Sequence, residues 1–198
     1  MVIKKTLTTS SKREICIFDN LLGVADIIEY KTIAQRLNYN LSNNVDPLME
    51  HKQNTFFTHV LNNETIRNFN VFQHLNRLLP EFYENRSVNK AWVNATFSTN
   101  RYPTHSDTSD IFEYSTKSIT DCHTITTLIY LTLKWDKLDG GETLFCDDYG
   151  NTEIAIEFVP HRVVIFDSLI PHRVGLSYPN PNEPRICLVF TCVKVDNN

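Results

Sequence analysis

Thr124-Ile125-Thr126-Thr127-Leu128-Ile129-Tyr130-Leu131-Thr132-Leu133 is an uncharged run of branched, aromatic and aliphatic side chains. Such residues lose side-chain freedom against a helical turn and pack well on a pleated surface, so the run favours an extended strand. Similar runs lie on both sides of it: Trp92 to Phe97, Thr143 to Cys146, Ile154 to Phe158, Arg162 to Phe166 and Arg185 to Val195. Turn signals separate them at Gly140-Gly141, Tyr149-Gly150-Asn151 and Pro179-Asn180-Pro181-Asn182. Short strands at this spacing fit a jelly roll or a related sandwich.

Upstream of Arg86 the pattern differs. Ile15-Cys16-Ile17-Phe18 reads as a short strand, and from about Val24 to Leu37 the residues Ile27, Tyr30, Ala34 and Leu37 recur at helical spacing. Asn38 to Pro47, rich in Asn, reads as loop, and Thr55 to Leu61 as strand. A second helix is expected from about Glu64 to Tyr83, with Phe72, Leu75, Leu79 and Phe82 as its apolar stripe. Helices followed by strands argue for an α+β class. The 198 residues, 41% hydrophobic and 21% charged, suit one domain, with a helical preamble over about 1–85 and a strand-rich core over about 86–195.

A net charge of -4 offers no electrostatic reason to expect nucleic acid or an anionic membrane as partner. The opening residues lack the apolar core of a signal peptide, and no apolar run approaches a membrane span. Cys16, Cys122, Cys146, Cys187 and Cys192 form an odd set without metal-finger spacing, so a reducing, cytoplasmic setting is expected.

Thr104-His105-Ser106-Asp107 is the stretch with chemistry in it. On an extended segment, side chains two residues apart project to one side, so His105 and Asp107 could touch one metal ion. His172, behind Pro171 at the end of an apolar run, is placed to add a third ligand, with His123 and His161 as rivals. Both rivals read more simply as exposed loop residues, and His51, His59 and His74 as structural. Two imidazoles and one carboxylate leave one face of the metal open, the arrangement expected of non-haem Fe(II) oxygenases. Taken alone, His-X-Asp also occurs at surface strand ends that bind nothing.

The C-terminal half adds to that pair. Thr127-Leu128-Ile129-Tyr130-Leu131, Trp135, Gly140-Gly141-Glu142-Thr143-Leu144-Phe145, Val163-Val164-Ile165-Phe166-Asp167, Pro171-His172 and Pro184-Arg185-Ile186 occur in that order. The series resembles the Fe(II)- and 2-oxoglutarate-dependent dioxygenases, and within them the prolyl-4-hydroxylase-like group, over roughly residues 88 to 195. The resemblance implies a double-stranded β-helix core with the N-terminal helices packed on the outside of one sheet. It implies His105, Asp107 and His172 as iron ligands. Arg185 is implied as the partner of the distal carboxylate of 2-oxoglutarate, which a guanidinium fork suits. Tyr130 aligns with a tyrosine that meets the same carboxylate in some members, and Asn94 and Thr96 are further candidates for the pocket. The family tyrosine near the site has Tyr102 as its nearest counterpart. Arg173 is expected to point away from His172 to the surface, and no catalytic base is needed from Glu142.

The implied cofactors are Fe(II), 2-oxoglutarate as co-substrate and O2, with ascorbate as a further candidate. The implied reaction couples decarboxylation of 2-oxoglutarate to hydroxylation of an aliphatic C–H, with a prolyl residue in a peptide as the leading substrate. A free amino acid, another small metabolite or a nucleobase are the alternatives. A non-catalytic ligand-binding domain on the same fold and a zinc hydrolase are rivals of other classes; neither accounts for Arg185.

Related enzymes that halogenate have a small residue in place of the ligand carboxylate, and the vacated position takes a halide. Asp107 fills that position here, so oxygen insertion without halogenation is expected. Mass spectrometry of product made in high chloride checks this: a gain of one oxygen atom agrees, and a chlorinated product contradicts the role given to Asp107.

Overall fold

The computed structural model describes residues 1–44, 54–96, 103–108, 118–177 and 183–195. In chain order its elements are β1 (Ile3–Thr8), β2 (Glu14–Asp19), α1 (Val24–Gln35), β3 (Asn40–Asn44), β4 (Asn54–Val60), α2 (Asn63–Phe69), α3 (Val71–Leu78) and α4 (Pro80–Tyr83). There follow β5 (Arg86–Thr96), β6 (Thr124–Tyr130), β7 (Thr143–Cys146), β8 (Thr152–Ile156), β9 (Val163–Asp167), β10 (His172–Val174) and β11 (Arg185–Lys194). An eight-stranded sheet has the order β1-β2-β9-β6-β11-β5-β4-β3, and a three-stranded sheet the order β10-β7-β8. All pairings are antiparallel. Two facing antiparallel sheets make the jelly-roll body expected from the strand pattern.

The central strands of the large sheet, β2, β9, β6 and β11, are buried on both faces, and strand alternation divides their side chains into two sets. Ile17, Leu128, Val164, Phe166, Cys187 and Val189 face the small sheet, where Phe145 and Ile156 meet them. Phe145 and Phe166 pack edge to face with centroids 4.9 Å apart. Cys16, Phe18, Val93, Ile125, Ile129, Ile165, Leu188 and Phe190 project the other way, into a cluster shared with Ile27, Tyr30 and Ala34 of α1 and with Phe69, Leu75 and Phe82. Even the threonines of β6 obey this division: Thr127, on the second face, is hydrogen-bonded to the Tyr83 hydroxyl at 2.8 Å.

Three expectations need correction. The first 85 residues hold more strand than expected, since β1 joins the expected β2 and β4 in the large sheet. Asn38 to Pro47 is not all loop: Asn40–Asn44 is β3, where the pairing partner β4 overrides the poor strand propensity of asparagine. Residues 45–47 lie outside the described set. The expected helix from Glu64 to Tyr83 is broken twice. Asn70 sits at φ 50°, ψ 12°, left-handed, and Pro80 lacks the N–H to continue the helix and holds Leu79 out of helical geometry at φ -137°.

Among the described residues no helix is long and apolar enough to cross a membrane. The five cysteines are all buried and form no disulfide, in agreement with their reading as small apolar residues.

Leu188 lies on the central strand β11 and is 1% exposed. Leu188→Ala should leave a cavity between sheet and helices at a cost of about 2–5 kcal/mol. A urea titration checks this, and an unchanged midpoint would contradict the packing described.

Candidate functional site

His105 does not lie on a regular strand; it makes an isolated antiparallel bridge with His172, the first residue of β10. The His105 N–H donates to the His172 carbonyl at 3.0 Å and the His172 N–H to that of His105 at 2.8 Å. The Asp107 N–H donates to the Ser168 carbonyl at 3.0 Å, and the Ser106 hydroxyl to that of Leu169 at 3.1 Å. Residues 105–107 are thereby pinned along residues 168–172. Directly opposed residues in such a bridge send their side chains to the same side, and the two imidazole centroids are 4.5 Å apart.

The potential ligand atoms of His105, Asp107 and His172 all lie within 4.8 Å of one another. His105 Nε2 is 3.7 Å from Asp107 Oδ1, and His172 Nε2 is 3.6 Å from Asp107 Oδ2. Each imidazole turns its Nδ1 to a backbone carbonyl, that of Pro103 at 3.1 Å and that of Ile170 at 3.0 Å. A carbonyl only accepts, so each Nδ1 carries the proton and each Nε2 offers its lone pair to the centre of the cluster. Burial, with His105 adding to it, lowers the His172 pKa against the pull of Asp107, which favours the neutral, ligating imidazole. Two neutral nitrogens and one carboxylate, without thiolate, suit Fe(II).

A cavity of about 350 Å³ opens beside this cluster, lined also by Arg185, Thr143, Cys187, Trp92, Asn94 and Thr58. Arg185 is 2% exposed. Its Nε donates to the Gly141 carbonyl at 2.8 Å and its Nη2 to the Thr143 hydroxyl at 3.4 Å, while its guanidinium carbon stands 4.7 Å from the Phe158 ring centroid. Among the described residues no carboxylate pairs with it. A buried guanidinium without an anion is costly, so its free edge on the cavity is a place for a ligand carboxylate. The donor set and this unpaired cation both fit iron with a dicarboxylate co-substrate.

Tyr130 is fully buried and does not line the cavity. Its hydroxyl, with the pKa pushed up to about 12 by burial, lies 2.7 Å from Thr143 Oγ1. Thr143 therefore stands between Tyr130 and the cavity, a position the sequence reading passed over. Its signal is register: Thr143 pairs with Val174, two residues along from the Phe145–His172 pair. Thr126 was also missed. Alternation puts it on the same face of β6 as Tyr130, and its hydroxyl donates to Asp107 Oδ2 at 2.8 Å.

Of the other candidates, Asn94 lines the cavity, whereas Thr96 is buried opposite Arg185 in the register of β5 and β11. Tyr102 and His51 lie outside the described residues. Arg173 hydrogen-bonds Thr104 and Thr152, but it is half-buried and also lines the cavity, so it is not the surface residue expected. His123 and His161 stay out of the metal-capable group, but both are half-buried rather than exposed. His161 adopts φ 67°, and its N–H bonds the Tyr130 carbonyl, which explains its enclosure.

A family model described as the 2OG-Fe(II) oxygenase superfamily matches residues 91–190. No curated protein matches the chain. Among solved structures, a Pseudomonas putida prolyl-4-hydroxylase is similar with a TM-score of 0.58 at 15% identity, covering 93% of each chain. A Trichoplax adhaerens prolyl hydroxylase, in complex with a hypoxia inducible factor peptide fragment, is similar with a TM-score of 0.60 at 18% identity, over 92% of this chain and 83% of that one. HygX from Streptomyces hygroscopicus, with nickel, 2-oxoglutarate and hygromycin B bound, is similar with a TM-score of 0.64 at 11% identity, again over 92% and 83%. At such identities the similarity is one of fold.

Gly141 supports Arg185 directly. It has φ +76°, and a Cβ there would come within 3.2 Å of Arg185 Cδ and 3.3 Å of Trp135. Gly141→Ala should therefore destabilise the protein by roughly 1–3 kcal/mol from backbone strain alone. Thermal unfolding tests this, and an unchanged Tm would refute the close approach.

Proposed function

The chain belongs to the 2OG-Fe(II) oxygenase superfamily, and on that premise we propose that this 2-oxoglutarate-dependent dioxygenase hydroxylates an aliphatic C–H of an uncharged group, with a prolyl residue in a peptide as the leading substrate. Iron with 2-oxoglutarate and O2 supplies the oxidising power, one oxygen atom entering the substrate while 2-oxoglutarate is converted to succinate and CO2. The protein supplies orientation and shelter from water. His105, Asp107 and His172 are the residues to hold the metal. Arg185 takes the distal carboxylate of 2-oxoglutarate with Thr143 beside it, and Tyr130 acts by orienting the Thr143 hydroxyl. The whole chain is read as one oxygenase domain, in which α1 to α4 brace the outer face of the large sheet and hold the strand bearing Arg185.

The observation that carries the function is the pairing of a two-histidine, one-carboxylate cluster with an uncompensated buried arginine in one cavity. The substrate reading rests on the other wing of that cavity. Cys187, Asn94 and Thr58 stand in one row across β11, β5 and β4, with Trp92 in the next row. Asn94 Oδ1 is buried without a partner. This wing offers an amide, a hydroxyl and an indole, and Arg173, a cation that also lines the cavity, is hydrogen-bonded to Thr104 and Thr152. Such a surface suits an amide-bearing group without positive charge better than a free amino acid, whose ammonium group would find no carboxylate in this wing among the described residues. The similar structures bind a peptide fragment in one case and hygromycin B in another, so a small molecule is the second reading.

Anaerobic binding of Fe(II) and 2-oxoglutarate, followed by succinate release with capped prolyl peptides and with free proline, tests the proposal. Coupled turnover on the capped peptides agrees, whereas turnover on free proline alone would overturn the neutral-group reading. Turnover with zinc and no 2-oxoglutarate would indicate a hydrolase instead. His172→Ala should abolish turnover with the fold retained. Arg185→Ala should weaken 2-oxoglutarate binding by roughly 2–5 kcal/mol, the usual effect of truncating one partner of a buried charge pair. Unchanged 2-oxoglutarate affinity in that variant would assign the carboxylate to another residue.

A further inference from the structure

Thr126 and Ser168 are both completely buried, yet neither faces the substrate wing. A hydroxyl in the middle of a buried strand is costly unless its hydrogen bonds are made. Thr126 Oγ1 lies 2.8 Å from Asp107 Oδ2 and 2.8 Å from Ser168 Oγ. An ionised carboxylate only accepts, so the single proton of Thr126 is committed to Asp107, and the Ser168 hydroxyl must then donate to Thr126. The direction of the chain is thereby settled: Ser168 to Thr126 to Asp107. Ser168 also receives the Asp107 N–H on its own carbonyl. One residue thus restrains the backbone of Asp107 directly and its carboxylate through Thr126. With the Asp107 side chain 3% exposed, water has little access to compete for Oδ2.

We infer that Thr126, backed by Ser168, is a positioning residue that occupies Asp107 Oδ2 and so restricts Asp107 to binding the metal through Oδ1 alone. This rests on the reading of His105, Asp107 and His172 as metal ligands. A carboxylate free to turn can offer both oxygens to a metal and fill a position that the co-substrates need. A hydrogen bond at one oxygen uses one of its two lone pairs and holds the plane of the carboxylate, which disfavours that turn. The hydroxyl chain also resists reorientation, since each bond in it polarises the next.

Co(II) serves as probe on the full chain, because its visible absorption reports coordination number without turnover. Thr126→Val removes the donor at nearly constant volume. It should weaken Co(II) binding by about 10–100-fold, the usual range for losing such an outer partner. It should also change the visible spectrum before 2-oxoglutarate is added and weaken 2-oxoglutarate binding to the Co(II) protein. Thr126→Ser should restore all three, which a merely structural role in β6 would not require. Ser168→Ala, which keeps Thr126 but removes its donor, should shift the same readouts less far and in the same direction, and it tests the chain should Thr126→Val not fold. Native Co(II) affinity and spectrum in Thr126→Val, or in Ser168→Ala if only that variant folds, would overturn the inference. His172→Ala separates the two levels: native Co(II) affinity there would refute the ligand assignment itself, whereas a loss there beside a native Thr126→Val refutes only the role of Thr126.

Discussion

The pairing of residues 105–107 with residues 168–172 is the contact on which the site depends. Two reciprocal backbone bonds between His105 and His172, with a third from Asp107 to Ser168, bring together groups far apart in the chain. Backbone bonds set the register, and register decides which side chains share a face. A slip of one residue would place Arg173 where His172 stands and turn the second imidazole away from the first. The metal-capable geometry is therefore a consequence of main-chain pairing before it is one of side-chain chemistry.

That pairing is held up by sheet strands buried on both faces. On β6 and β11, Leu128, Cys187 and Val189 look towards the small sheet, while Ile125, Ile129, Ile186, Leu188 and Phe190 look towards the helices. Large apolar side chains fill both sides, so the few polar ones in these strands stand out physically. Each has a stated partner or faces the cavity: Thr127 meets Tyr83, Thr126 meets Asp107, Tyr130 meets Thr143, and Arg185 turns to Gly141 and Thr143. Thr191, buried with an unpartnered hydroxyl, is the exception, and nothing in the structure explains it.

Arg185 shows how such a sheet can carry a charge in its interior. Its stem passes a residue without a side chain, Gly141, and its head lies against Phe158 and Tyr130, aromatic faces that attract a cation. These contacts fix the guanidinium without neutralising it. A guanidinium held in this way remains able to pair with an anion on the cavity side.

The sequence by itself determined the element types over most of the chain, the jelly-roll body, the His-X-Asp pair and the identity of Arg185 as the unusual cation. The first three follow from periodicity and residue chemistry within a few positions, which a linear reading can see, whereas Arg185 stands out through the resemblance to the dioxygenases. It also contained the break at Pro80, which a closer reading of that proline would have found. The sequence already favours His172 over His123 and His161, whereas only the tertiary structure decided that Asn40–Asn44 becomes a strand, that Tyr130 reaches the cavity only through Thr143, and that Thr126 holds Asp107. Each of these depends on which distant segment lies opposite and in what register. Threonine is among the commonest residues of the strand-forming half of the chain, and nothing local separates the one that meets a carboxylate from the one that meets a tyrosine; the strand lying across from it makes the difference.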